Sequence, residues 1–211
     1  MRTVFLIDGF NLYHSIKRAS MDVGLNGKDT KWLNIYSYCQ SSLHLISPEA
    51  KINDIYYFSA LAEHIKPLSV MARHNVFIRA LKSTGIKVRL GRFKSKNSYC
   101  RLCKKTSKRY EEKETDVAIA VEMMRLCLTN EVDTIVLMTG DTDLAPAVRS
   151  VIESCPDKQI WFCFPYRRQN KELEKVAHGH FSMKIKQIRK HQFPAIIEHE
   201  GSKDIIKPES W

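Results

Sequence analysis

One short apolar run that ends in two carboxylates constrains the fold of this chain most. Residues Thr134 to Met138 are mostly branched and apolar, and Gly140, Asp141 and Asp143 follow them. Such a run predicts a strand that is buried on both faces, as in the parallel sheets of α/β proteins. Ligands bind to these sheets at the carboxyl ends of the strands. The two acids are therefore expected at an edge where a binding site can form.

Asp141 and Asp143 can be explained in two ways. Two carboxylates spaced two residues apart in a turn can point the same way, and they repel each other unless a proton or cation lies between them. A divalent metal ion is then the obvious partner. Alternatively, Asp143 could simply cap a helix that starts near Leu144, with Pro146 in its first turn. The two residues alone leave both interpretations open.

A similar arrangement of strand and acid opens the chain. Arg2 to Ile7 predicts a first strand, and Asp8, Gly9 and Asn11 follow it before a helix. Further strands are predicted at 54–60, 86–90, 134–138 and 159–164, and helices at 32–46, 67–81, 111–128, 144–154, 170–177 and 183–190. This alternation indicates a sheet of the βα type. We expect one domain over residues 1–190 and a loosely packed tail over residues 191–211.

The positive charge of the chain is concentrated in one stretch. Lys and Arg number 34 against 23 Asp and Glu, a net charge of +11, yet residues 79–110 contain no acid. A solvated face normally mixes both signs, so this excess predicts a polyanionic partner. We favour nucleic acid over an anionic membrane, because no strongly amphipathic basic helix lies here. The expected nucleic-acid contacts are Arg89, Arg92, Lys94, Lys96, Arg101, Lys104, Lys105, Lys108 and Arg109.

The basic stretch includes a loop, predicted at residues 91–110, that holds the pair Cys100 and Cys103. Their spacing is that of half a zinc knuckle or of a redox pair. No second pair follows, so zinc would need a further ligand such as His64, His74 or Cys39. Two reduced thiols are the simpler interpretation.

No apolar run in the sequence approaches the length of about 18 residues that a membrane span needs, and a cytoplasmic protein is expected.

Four acids from distant parts of the sequence could meet in one cleft. Asp8, Asp116, Asp141 and Asp143 each lie at a predicted strand end or helix start. The helix macrodipole alone could account for Asp116, with Thr115 as the helix cap. Four carboxylates in one cleft, however, fit one or two Mg²⁺ or Mn²⁺ ions that activate water against a phosphodiester. Asn11 would then orient the scissile phosphate or a metal-bound water.

Three motifs occur in an order and at a spacing that are characteristic of one family. They are Ile7-Asp-Gly-Phe-Asn11, Glu112-Lys-Glu-Thr-Asp-Val-Ala-Ile-Ala120 and Thr139-Gly-Asp-Thr-Asp-Leu-Ala-Pro146. Over about residues 2–190 the chain resembles the NYN domain of the PIN-like nuclease superfamily, in its bacterial LabA-like branch. One departure is Ala177-His178, where many relatives carry Ala-Asp.

The resemblance implies a fold and an activity. The fold is an α/β, Rossmann-like, three-layer α/β/α arrangement with a mostly parallel central sheet. The activity is metal-dependent cleavage of RNA, with the metal-binding acids at Asp8, Asp116, Asp141 and Asp143 and with Asn11 beside them.

Two other classes of protein share part of this pattern. A phosphatase of the haloacid dehalogenase type also pairs Asp8 with a late Gly-Asp element. It should carry its general acid two residues after Asp8, where Phe10 stands. A nucleic-acid-binding regulator could keep the fold without catalysis, and the sequence does not exclude it. The preferred prediction is a metal-dependent ribonuclease.

Overall fold

Seven strands form one sheet within the residues that a computed structural model describes, namely 1–25, 30–61, 69–99, 101–198, 203–209 and 211. The side chains of Arg109 and Glu111 also lie outside this description. The strands are β1 (Arg2–Asp8), β2 (Lys51–Ala60), β3 (Lys87–Tyr99), β4 (Thr106–Lys113), β5 (Thr134–Met138), β6 (Gln159–Phe164) and β7 (Gly179–Ser182). A separate ladder joins β8 (Ile196–Ile197) to β9 (Ile205–Ile206).

Helices cover both faces of this sheet. They are α1 (Gly9–Asp22), α2 (Ile35–Ser42), α3 (Ser69–Ser83), α4 (Thr115–Leu128), α5 (Ala145–Ser154), α6 (Lys171–Val176) and α7 (Ile185–Lys190). The predicted start of α3, at residue 67, lies outside the described residues. No helix in the described parts of the chain is long and apolar enough to cross a membrane.

The strand order places the ends of β1 and β5 side by side. The order is β4-β3-β2-β1-β5-β6-β7, and neighbouring strands are parallel except for β3 and β4. The chain thus builds outward from β1 in one direction and then returns to build from β5 in the other. Ligands of open α/β sheets bind at such a reversal. The predicted α/β fold with a mostly parallel central sheet is confirmed.

Successive side chains of the central strands enter two separate apolar cores. Phe5 and Ile7 of β1 point to one face, where they pack with α1, α2, α3 and α7. Val4 and Leu6 point to the other face and pack with α4, α5 and α6. Side chains alternate along a strand, so a strand between two helical layers must be apolar throughout. This alternation produces the three-layer arrangement.

The basic stretch predicted as a loop at residues 91–110 is instead a hairpin. Strand β3 leaves β2 after Gly91 and continues alone with β4, from the pair Arg92 and Lys113 to the pair Tyr99 and Thr106. We call residues 92–113 the arm. Most side chains of the arm are exposed, so its strands need no alternation of apolar residues, and the sequence pattern did not reveal them.

The residue that departs from the family pattern, His178, has a structural role. Its backbone N–H donates to the carbonyl oxygen of Ile160 at 2.9 Å, and its ring Nδ1 accepts from the N–H of Ile160 at 3.0 Å. His178 therefore pairs with β6 immediately before β7 begins. An imidazole nitrogen can accept such a bond when its proton is on the other ring nitrogen.

Several described residues after position 192 pack against the core, in the segment where the sequence predicts a loosely packed tail. Phe193 and Ile205 are buried, and the indole N–H of Trp32 donates to the carbonyl oxygen of Pro194 at 2.8 Å. Trp211 lies against Trp32 with the ring centroids 6.1 Å apart. The apolar residues of this segment occur in short groups separated by polar residues, so they give no periodic signal.

Candidate metal centre and cationic surfaces

Three carboxylates converge where β1 and β5 end. Asp8 is the last residue of β1, Asp141 follows β5 after two residues, and Asp116 lies in the first turn of α4. One oxygen from each of these carboxylates lies within 4.8 Å of the others. The structure thus brings together three of the four acids predicted from the sequence, and we call them the acid centre.

Hydrogen bonds fix the orientation of the Asp8 carboxylate. The side chain is 5% exposed and caps α1, with Oδ1 accepting from the N–H of Asn11 at 3.0 Å. Oδ2 accepts from the hydroxyl of Thr139 at 2.9 Å, and this hydroxyl accepts from the N–H of Asp141 at 3.1 Å. The bonds connect the ends of β1 and β5, so two of the three acids are held in fixed relation.

Asn11 supports the loop that carries Asp141. Its side-chain oxygen accepts from the N–H of Gly140 at 3.2 Å. A Cβ atom at Gly140 would lie only 2.2 Å from the carbonyl oxygen of Arg168, so glycine lets this loop approach the segment that follows β6. The predicted contact between Asn11 and a phosphate stays a prediction.

Asp141, rather than Asp143, is the capping residue of the pair. The carboxylate of Asp141 accepts from the N–H of Asp143 at 3.0 Å and caps the 3-10 turn Thr142–Leu144, which leads into α5. The alternative in which Asp143 caps the helix is therefore wrong. Asp143 lies inside this turn, at the rim of the acid centre. Capping and metal binding are compatible for Asp141, because a carboxylate has two oxygens.

Negative charge accumulates at the acid centre. Burial raises the pKa of Asp8, although hydrogen bonds from Asn11 and Thr139 oppose this effect. Burial and then the charges of Asp141, Asp8, Glu112 and Asp143 raise the pKa of Asp116 from 3.8 to about 6. No ion pair joins the three acids to a Lys or Arg in the described parts of the chain. Carboxylate oxygens that lie close together and repel one another are suitable ligands for a hard divalent cation such as Mg²⁺ or Mn²⁺.

Glu112 is a residue of the site that the sequence reasoning did not assign. Its Oε1 accepts from the N–H of Thr115 at 3.2 Å and also from the hydroxyl of Thr115. Thr115 was expected to cap α4, but it is the first residue of the helix, and Glu112 satisfies its N–H. Glu114, just before the helix, has a φ of 85° and no capping hydrogen bond. Glu112 thus positions the helix start that carries Asp116.

The predicted nucleic-acid contacts lie on the arm or just before it. Arg92 Nε pairs with Glu114 at 2.8 Å, and the guanidinium of Arg89 lies over the ring of Tyr56, 5.8 Å from its centroid. The side chain of Arg109 is outside the described residues. The others are Lys94 and Lys96 on β3, Arg101, Lys104 and Lys105 in the turn, and Lys108 on β4.

The zinc hypothesis stays a prediction. Cys103 is exposed and has a free thiol, whereas Cys100 and His64 lie outside the described residues. Among the residues that the structure does describe, the acid centre is the only His, Cys, Asp and Glu group able to hold a metal ion.

A second cationic surface borders the acid centre on the other side. Lys17 and Arg18 of α1 face Arg167 and Arg168, which follow β6, across a groove of about 440 Å³, and Asp22 pairs with Arg18 and Arg167. Burial and then the charges of Arg168 and Lys17 lower the pKa of His14 in this groove. The sequence signal was present, because Arg167 and Arg168 stand just beyond the carboxyl end of a predicted strand.

Comparisons with known proteins agree with this architecture. Along its whole length the chain is 27% identical to 6-hydroxy-3-succinoylpyridine 3-monooxygenase HspA of Pseudomonas putida and covers 75% of that protein. A solved structure of a protein of unknown function from Vibrio parahaemolyticus has a similar fold. Its TM-score is 0.56 at 17% identity, and the match covers 87% of this chain and 93% of that one. The sequence model of the NYN domain matches residues 2–184, so the chain belongs to the NYN domain family.

Proposed function

We propose that this protein is a metal-dependent ribonuclease. Its catalytic centre, formed by Asp8, Asp116 and Asp141, would hydrolyse phosphodiester bonds of RNA. The observation that carries the proposal is the meeting of three carboxylate oxygens within 4.8 Å at the reversal of strand order. Proteins of the NYN domain family are in general nucleases. The choice of RNA over DNA rests on the family resemblance.

The acid centre would bind the cation through Asp8, Asp116 and Asp141. When bound, a divalent cation supplies positive charge to the phosphoryl oxygens and activates water. Asp8 needs little reorganisation for this role, since Asn11 and Thr139 already orient its carboxylate. The side-chain oxygen of Asn11 accepts from the N–H of Gly140, so its amide nitrogen is the group that would donate to a phosphate oxygen.

Cations on both sides of the acid centre would guide RNA across it. The centre itself repels a polyanion, whereas the arm on one side and Lys17 with Arg168 on the other attract it. A strand that crosses from one surface to the other passes over the three carboxylates. Arg168 would contact a phosphate near the scissile bond, because its backbone lies close to Gly140.

The Pseudomonas putida relative suggests a second candidate, oxidation of a heteroaromatic compound. Its name is that of a monooxygenase of a hydroxylated pyridine, and a cavity of about 530 Å³ next to the acid centre could hold such a ring. The sequence has no Gly-x-Gly loop of the dinucleotide-binding type. We therefore place this candidate second.

A cleavage assay tests the proposed function. Labelled single-stranded RNA, structured RNA and DNA are incubated with the purified protein and Mg²⁺ or Mn²⁺. We expect the RNA to be cleaved, and we expect Asp8→Asn, Asp116→Asn and Asp141→Asn each to abolish cleavage while the fold and RNA binding are kept. Glu153→Gln is the control, because it removes one exposed negative charge near the far end of α5.

Two results would contradict the proposal. If Asp116→Asn kept the turnover of the wild type, the acid centre would not be the catalytic centre. If the wild type bound RNA but cleaved none of the substrates with either metal, a non-catalytic RNA-binding regulator would be the better description.

A further inference from the structure

A largely apolar cavity with several aromatic side chains opens beside the acid centre. It has a volume of about 530 Å³ and lies between α1, α3, the end of β2 and the start of the arm. Pockets for small organic groups have about 300–1,000 Å³. The aromatic side chains that line it are Phe10, Tyr13, Tyr57, Phe77, Phe93 and Trp211.

The cavity adjoins the acid centre. Gly9 and Phe10 line it and directly follow Asp8 in the chain. Glu112 also lines it, and the charge of Glu112 contributes to the raised pKa of Asp116. A group bound in the cavity would therefore lie next to a phosphate held at the three carboxylates.

The walls of the cavity suit a flat ring. Phe10 and Phe93 meet edge to face with their centroids 5.6 Å apart, and they close the side nearest the arm. Tyr57 and Trp211 contact Phe77 on the opposite side, with centroids 6.2 and 5.4 Å from it. Bases of single-stranded nucleic acids bind to such aromatic surfaces by stacking.

Polar groups inside the cavity could contact the edge of such a ring. The hydroxyl of Ser59 lies 3.5 Å from Nε2 of His74, and burial lowers the pKa of His74, which favours the neutral ring. A neutral imidazole offers one donor and one acceptor. The few polar groups among apolar walls are the composition expected of a specific binding pocket.

Two cations stand at the mouth of the cavity. Lys31 and Arg73 both line it. Burial lowers the pKa of Lys31, and the positive charges of Lys17 and Arg73 lower it further, so the three cations lie near one another. Within the described ranges, no carboxylate forms an ion pair with Lys31 or Arg73. Such a mouth attracts a phosphate.

We infer that this cavity is a nucleobase subsite of the proposed ribonuclease. The base of a nucleotide next to the scissile bond leaves the strand and inserts between the aromatic walls. Lys31 and Arg73 bind the phosphate of that nucleotide, and the neighbouring phosphate lies at the acid centre. The inference rests on the proposed function, because it takes the acid centre as the place of cleavage.

Binding of mononucleotides without metal tests the subsite. Adenosine and uridine monophosphates are titrated into the protein in EDTA and followed by ligand-observed NMR, with ribose 5-phosphate and 3-hydroxypyridine for comparison. We expect at least one nucleotide to bind through its base protons, and we expect both comparison compounds to bind more weakly. Loss of one stacking ring by Phe93→Ala should weaken binding about 5- to 150-fold.

Two further variants make the test specific. Val70→Trp should fill the cavity from α3 and abolish nucleotide binding, with folding checked by circular dichroism. Tyr99→Ala is the matched control, because Tyr99 is an arm aromatic that does not line the cavity and is 60% exposed. It should leave nucleotide binding unchanged.

The outcomes separate the subsite from the proposed function. No nucleotide binding, binding that Val70→Trp does not change, or equal binding of 3-hydroxypyridine would each overturn the subsite. Nucleotide binding in the cavity by a protein that cleaves no RNA would instead reject the ribonuclease while the cavity remained a nucleotide site. Cleavage of RNA by a protein that binds no nucleotide would reject the subsite while the ribonuclease proposal remained.

Discussion

Replacement of Asp116 by Asn should stabilise the metal-free protein near neutral pH. The pKa of Asp116 is raised from 3.8 to about 6, chiefly by burial and by the charges of Asp141 and Asp8. Each tenfold change in acid dissociation corresponds to about 1.4 kcal/mol, so ionised Asp116 opposes folding by at most about 3 kcal/mol. Asp116 is partly exposed, and screening by solvent reduces this to about 1–2 kcal/mol.

A smaller effect acts in the opposite direction. Asp116 is the second residue of α4, where a negative charge interacts favourably with the helix macrodipole by about 0.3–1 kcal/mol. Asparagine lacks this interaction. We therefore expect Asp116→Asn to raise the free energy of unfolding by about 1 kcal/mol at pH 7.5.

The size of this stabilisation depends on pH. Because the pKa of Asp116 is raised in the folded state, protonation of this residue favours folding. The wild type has the full benefit below pH 3.8 and loses it as the pH rises through about 6. The advantage of the variant should therefore be present at pH 7.5 and nearly absent at pH 4.

Urea denaturation in EDTA at pH 7.5 and pH 4 measures the difference. Glu153→Gln, which removes an exposed charge far along α5, is the control and should change the stability little. Saturating Mn²⁺ at pH 7.5 should reverse the order, because a cation at 100 times its dissociation constant stabilises the wild type by about 2.7 kcal/mol. A variant that is less stable than the wild type at pH 7.5 in EDTA would refute the repulsion among the three carboxylates.

Two further predictions concern the surroundings of the acid centre. Gly140→Ala should destabilise the protein by about 1–3 kcal/mol and weaken Mn²⁺ binding, because its Cβ would overlap the backbone of Arg168; unchanged Mn²⁺ titrations would contradict this. Replacement of Lys94, Lys105 and Lys108 by Gln should weaken RNA binding and flatten the plot of log affinity against log salt by about 0.7 for each phosphate that is no longer neutralised. An unchanged slope would remove the arm from the RNA path.

The sequence predicted the centre of this protein better than its periphery. Strands that are buried on both faces, such as β5, must be continuously apolar, and that pattern is visible without a structure. Asp8 and Asp141 follow such strands, so their convergence could be predicted. Asp116 depended on the assumption that α4 begins at the same edge of the sheet, and the structure satisfies it.

The periphery depends on contacts that leave little trace in the sequence. The arm has no buried face and therefore no apolar alternation, and β7 is only four residues long. Glu112 acts by accepting hydrogen bonds from Thr115, which requires the turn between β4 and α4 to be known. The aromatic residues that line the cavity come from five separate segments, and only the fold brings these segments together.

The hydrogen bond from Thr139 to Asp8 has a consequence for the order of folding. It joins residues that are 131 positions apart in the chain, and the acid centre that it stabilises likewise joins distant segments. Contacts between such distant segments carry a large entropy cost of loop closure and tend to form late. A cation that binds only the completed centre then acts mainly on the unfolding rate, since interactions absent from the folding transition state slow unfolding without accelerating folding. Metal ions would in this way lengthen the lifetime of the folded protein more than they shorten the time needed to reach it.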